Sequence, residues 1–284
     1  MLLMLLTVMC YTVTSLNDKY AVSKAKMNGI QMTFVMAAAT AFFMLFTIPF
    51  TGFQFTFGWQ SLLFVLLIAA SKLLEFAMSA AVLREMSAFE LKAWLGICLF
   101  MSYFTDIAMG RSDLSLLRIF CIAVTVAGLV LIAGEGRGQI NYRKIVLPLV
   151  VYLIAKYGYG LIITGVNKTG CMSDTAAVFL ALILLAAVLF PKADIGGLIK
   201  SKPKETGIVA LAKLPNAAGL LLENAVIGVS MANYSFIQPM ILAVLFVLSL
   251  FSGEKYSKKA LVGNIICIIG ICAFQAEPII MRNA

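Results

Sequence analysis

Charged side chains inside long apolar stretches are the first feature of this sequence that could do chemistry. Lys72, Lys156 and Lys213 each fall within an apolar run, and so do Glu75, Asp106 and Glu223. An ionised group near the middle of a bilayer costs about 2.5–3.5 kcal/mol on insertion scales, so each needs an internal partner or a task. Lys72 and Glu75 are three residues apart, share one helix face and partly neutralise each other. Glu75, Asp106 and Glu223 are the acids available to balance the three lysines. Lys213 lies nearer the end of its run, where a long side chain reaches the interface by snorkelling.

Lys156 sits close to the centre of its run, flanked by Tyr157, Gly158, Tyr159 and Gly160. Two tyrosines and two glycines around one lysine predict a polar, aromatic wall that a ligand can approach closely. The competing reading is helix packing through small residues. The substrate-binding set expected on this basis is Lys156, Tyr157, Tyr159, Lys72, Asn224, Gln238 and Tyr11. In it Lys156 meets an anionic group on the substrate, and Glu75 or Glu223 carries a coupling proton, a buried carboxyl being a natural proton carrier. Asn17, Trp94 and Tyr103 are lesser candidates, since aromatic residues at span ends usually anchor to the interface. No catalytic residue, metal site or cofactor is expected. The chain has no His, no C-x-x-C pair among its six cysteines and no D-x-x-D pair of acids.

The elements that must position these residues follow from composition. The 284 residues are 62% hydrophobic and 12% charged, against about 25% charged in globular domains. A lipid-facing surface removes the need for more charge, and lipid admits helices because each satisfies its own backbone. The formal charge of +9 is dispersed in short clusters between apolar runs, as juxtamembrane anchors are, which argues against a nucleic-acid partner. The N-terminal run lacks the basic segment of a cleavable signal peptide and reads as a first span. Ten apolar segments stand out, near 2–20, 29–50, 58–83, 88–109, 114–134, 145–165, 174–191, 206–230, 234–252 and 259–277. The expectation is an all-α integral membrane protein of about ten transmembrane helices.

The two halves resemble each other. Residues 110–132 and 253–274 both open on Gly and a polar turn and continue as an apolar helix with Gly128 and Gly270 at matching depth. Upstream, Ala81, Val82 and Leu83 match Ala225, Val226 and Ile227. Five spans per half is an odd number, so equivalent helices run in opposite directions. This is an inverted-topology repeat, a device secondary transporters use to build two gates around one site. The boundaries expected are 1–135 for the first five-helix repeat, 136–144 for the loop between repeats and 145–284 for the second.

Gly253, Glu254 and Ser257, followed by Gly263 and Gly270 and preceded by Gln238 and Pro239, resemble the pattern of the EamA-type ten-helix proteins of the drug/metabolite transporter (DMT) superfamily. The resemblance covers the whole chain. The first half departs from it, with Arg111 where the Glu would stand and Gly96 about where the proline would be. The resemblance implies alternating-access transport of a small organic metabolite, such as an amino acid, sugar, nucleotide-linked or drug-like compound, with the site between the halves.

The expected function is therefore a secondary-active permease, not an enzyme, in the plasma (inner) membrane. Its partners would be a small-molecule substrate and the lipid bilayer, and it would be a monomer or homodimer. The alternatives are a non-transporting sensor or assembly subunit, and an integral membrane enzyme. Fourteen Lys and Arg fall on the face holding the odd-to-even loops and four on the face with both termini. That bias makes the first face cytoplasmic and the termini external, whereas the family resemblance implies cytoplasmic termini.

Overall fold

The structure is a computed structural model that describes residues 2–23, 26–85, 91, 94–95, 98–133, 142–251 and 257–283. The loop expected between the halves, Gly96 and the turn at 253–256 lie outside the described residues, apart from the last few positions of that loop. The principal helices are α1 (Leu2–Ser23), α2 (Gly29–Leu45), α3 (Trp59–Glu85), α4 (Cys98–Ala108), α5 (Leu116–Ala133), α6 (Tyr142–Thr169), α7 (Asp174–Leu189), α8 (Lys213–Val229), α9 (Met231–Phe251) and α10 (Lys258–Asn283). Short helices at Ile48–Thr51, Ile195–Ser201 and Pro203–Leu211 join them. The run expected to be one helix over 206–230 is broken at Ala212, so its first part is the short helix Pro203–Leu211 and its second part is α8.

Local chemistry marks the starts. Asn28 caps α2, its side chain accepting from the Gln31 amide at 2.8 Å while the Gln31 side chain accepts from the Asn28 amide at 3.1 Å. That reciprocal box satisfies two of the amides a helix start leaves unpaired. Ser173 caps α7 in the simpler one-way form.

Five helices among the described residues are long and apolar enough to cross a membrane: Trp59–Glu85, Lys144–Thr169, Asp174–Lys192, Met231–Leu248 and Lys258–Glu277. Shorter apolar helices lie at Leu2–Asp18, Gly29–Leu45, Cys98–Ala108 and Leu116–Ile132. The outer surface is apolar: Phe120, Leu147 and Ile154 are each more than 60% exposed. Water-soluble monomers rarely display so much contiguous apolar surface. The chain is a helical membrane protein.

The pairing of helices is regular. α5 packs on α10, α2 on α7 and α4 on α9, while α3 packs on α6, α1 on α8, α3 on α7 and α2 on α8. The α5–α10 contact is backbone to backbone. A Cβ added at Gly128 would lie under 3.0 Å from the backbone of Gly263 and Cys267, and one at Gly270 would crowd Thr125 equally. Small residues of this kind let helices associate in lipid, where no hydrophobic force drives them together.

Candidate functional site

α1, α3, α6 and α8 meet at the centre of the bundle, and there the buried charges converge. Lys156 on α6 donates to Glu223 on α8 at 2.7 Å and lies 3.3 Å from Glu75 on α3. Lys72, one turn before Glu75, donates to the other oxygen of that carboxylate at 2.8 Å. Tyr11 on α1 donates its hydroxyl to Glu223 at 2.5 Å. The result is a chain of alternating sign, Lys72–Glu75–Lys156–Glu223. All four of these residues are buried. Gly219 makes room for Tyr11 beside α8, since a Cβ there would meet the tyrosine ring at 2.9 Å.

A further layer holds the lysines in place. The ammonium of Lys72 sits 3.7 Å from the centre of the Tyr159 ring, a cation–π contact strengthened by exclusion of water. The Tyr159 hydroxyl in turn donates to Asn224 at 2.6 Å, and Tyr234 on α9 donates to the carbonyl of Lys156 at 2.6 Å.

These charges line a cavity of about 60 Å³. Tyr11, Lys72, Glu75 and Lys156 form its inner wall, and Phe76, Leu83, Leu91 and Leu220 its apolar flank. Asp18 and Asn216 border its outer part. It runs from mid-bundle toward the end that holds the C-terminal ends of α1 and α3 and the N-terminal end of α8. Gln238 also faces it, buried to 4% exposure and with its side-chain oxygen unpaired.

Among the sequence-predicted residues, Lys156, Lys72, Tyr11, Gln238 and Glu75 thus border one cavity. Glu223, Tyr159 and Asn224 stand behind that wall and hold it. Tyr157 faces a smaller adjoining space of about 10 Å³ and hydrogen-bonds Thr105 at 2.5 Å. Two expectations need correction. Lys213 does not snorkel: it is fully buried and paired with Asp18. Asp106 balances no lysine. It accepts from the Ser230 hydroxyl at 2.7 Å and from the Met231 and Ala232 amides at 2.8 Å, so it caps α9 from α4. Tyr103, too, is structural, bonding Asp113 and Ser115. Asn17 donates to the Val209 carbonyl, at 3.4 Å.

Sequence reasoning missed Asp18, Thr14, Ser79, Tyr152 and Asn216. A signal was present, because Thr7, Tyr11, Thr14 and Asp18 recur at three- and four-residue steps and make a polar stripe along α1.

The opposite end of the bundle is laced together. Besides Asp106, Arg111 donates to the Ile227 carbonyl at 3.0 Å, Arg118 pairs with Glu277 at 2.8 Å, and the hydroxyls of Ser102 and Ser235 are bonded. Each link joins a residue before position 133 to one after position 142.

No family model matches the chain, and no curated protein matches it in sequence. A solved structure described only as a "Crystal structure of protein" is similar over 95% of this chain and 98% of its own, with a TM-score of 0.52 and 13% identity. The likeness is one of fold.

Proposed function

We propose that the chain is a secondary-active transporter that moves a small organic solute by alternating access around the central cavity. The observation that carries this reading is the cavity itself: it reaches buried, mutually paired charges at mid-bundle from one end, while the other end is laced shut. A structural ion pair needs no such access, and a channel needs both ends open. A transporter caught facing one side has one end open and the other sealed.

We read the fold as ten spans in two five-helix halves, α1–α5 and α6–α10, related by an inverted repeat. The packing supports this. Exchanging the halves turns the α3–α6 contact into α8–α1 and the α3–α7 contact into α8–α2, and returns α2–α7, α4–α9 and α5–α10 to themselves. The four helices that supply the charge cluster are thus two equivalent pairs around the exchange axis, where transporters of this architecture bind substrate. The resemblance to EamA-type proteins of the DMT superfamily agrees with the same reading. The cavity opens toward the end rich in Lys and Arg, which the charge rule makes cytoplasmic.

The test is flux. Purified protein is screened for thermal stabilisation by amino acids, amines, sugars, nucleotides and organic acids, and each hit is assayed for uptake into proteoliposomes. A ligand at 100 times its dissociation constant should add about 2.7 kcal/mol to the folded state. Saturable uptake of a stabilising solute is the expected result. Binding without any flux would leave a sensor.

A further inference from the structure

We infer that the cavity accepts a small monocarboxylate with an apolar body and a hydrogen-bond donor such as a hydroxyl, and that each anion enters together with one proton taken up by Glu75. This rests on the transporter reading above and names its cargo and coupling.

The charged wall has donors to spare. Two ammonium groups offer six N–H bonds, and three are directed at carboxylates: Lys72 to Glu75, Lys156 to Glu75 and Lys156 to Glu223. The carboxylates at the inner wall already hold a donor on each oxygen. Glu75 is held by two lysines and Glu223 by Lys156 and the Tyr11 hydroxyl, while Asp18, in the outer part, is held by Lys213 through one oxygen. An incoming carboxylate finds open N–H bonds on Lys72 and Lys156 at the inner wall, where both oxygens of Glu75 already hold an ammonium. The unpaired oxygen of Gln238 calls for a donor on the ligand. Phe76, Leu83, Leu91 and Leu220 suit an apolar body.

Charge balance then ties the anion to a proton. Lys72, Lys156 and Lys213 are matched by Glu75, Glu223 and Asp18, so the empty site is neutral. An anion alone leaves the buried cluster at −1, and a proton alone leaves it at +1. Neither state is favourable where water is scarce. Anion and proton together restore neutrality, so each raises the affinity for the other by the same factor.

Glu75 is the acceptor because it borders the cavity, bridges both lysines through its two oxygens, and gives up a position that the substrate carboxylate can fill. Glu223 is fully buried behind Lys156 and holds that lysine. The charged and titratable groups facing Glu75 are Lys72 on its own helix, Lys156, Tyr152 and Tyr159 on α6, Glu223 on α8, Tyr11 and Asp18 on α1, and Tyr234 on α9. The proton comes from water on the side to which the cavity opens, binds an oxygen of Glu75 and leaves with the anion on the other side.

The experiment uses three matched series on the purified wild-type chain. Lactate, 2-hydroxyisocaproate and phenyllactate are the anions, their amides are the neutral counterparts, and alanine, leucine and phenylalanine are the zwitterions. Calorimetry in two buffers of different ionisation enthalpy counts the protons taken up. The expected result is binding of at least one hydroxy acid with one proton per anion, and a dissociation constant that rises tenfold per pH unit above neutrality. Glu75→Gln, which mimics the protonated acid, should bind the same anion with no proton uptake and no pH dependence. Anion binding without proton uptake overturns the inference. So does binding of amino acids in preference to hydroxy acids, and that outcome leaves the transporter reading standing. Binding by none of the nine overturns the inference, and the transporter reading falls with it only when the broader screen also yields no flux.

Discussion

Removing Lys156 tests whether the central charges are held by one another. Lys156→Met takes away an ammonium that lies 2.7 Å from Glu223 and 3.3 Å from Glu75. Glu75 keeps Lys72 at 2.8 Å, but Glu223, fully buried, keeps only the Tyr11 hydroxyl among the described residues. Stranding one member of a buried pair costs about 3–5 kcal/mol, roughly two to three and a half orders of magnitude in the folding equilibrium. Adding Glu223→Gln removes the stranded charge, preserves a partner for Tyr11 and leaves Lys72 and Glu75 as a balanced pair. The double variant should therefore lie within about 1–2 kcal/mol of the parent, because replacing both members of a buried pair by neutral groups of similar volume is often close to neutral. The assay is reversible unfolding in mixed micelles on the parent, both single variants and the double variant. A double variant as unstable as the sum of the two singles would refute the reasoning, since it would mean the charges do not compensate each other. A parallel uptake assay separates the roles, because the double variant should fold and yet fail to transport.

Asp106→Ala should loosen the laced end. It orphans two amides at the start of α9, at about 1–3 kcal/mol each, and labelling of Cys98 as the only cysteine by an impermeant maleimide should rise at least about tenfold. Unchanged labelling would show that this cap does not hold the end closed. Gly270→Val should separate α5 from α10, since even a Cβ at that position lies under 3.0 Å from Thr125. Overpacking against backbone should cost at least about 1–3 kcal/mol, read as a lower unfolding midpoint. A midpoint equal to the parent's would mean that the two helices are not in backbone contact.

The sequence by itself determined the helices and the contacts within each one. A long apolar run has a single solution in lipid, because the backbone must bond to itself, and Lys72 meets Glu75 because residues three apart share a helix face. The same local rule places Tyr11 and Asp18 on one stripe of α1. Which helices adjoin was decided only by the tertiary structure. Lys156 meets Glu223 across 67 residues of chain and Tyr11 meets Glu223 across 212. Lys213 was misread as a snorkelling residue because its partner, Asp18, lies 195 residues away. Asp106 was misread as a counter-ion because the helix start it caps is 125 residues further on. The reason is physical. Helical spacing dictates which side chains share a face, whereas the choice of neighbouring helix depends on close backbone approach and on pairing every buried polar group at once.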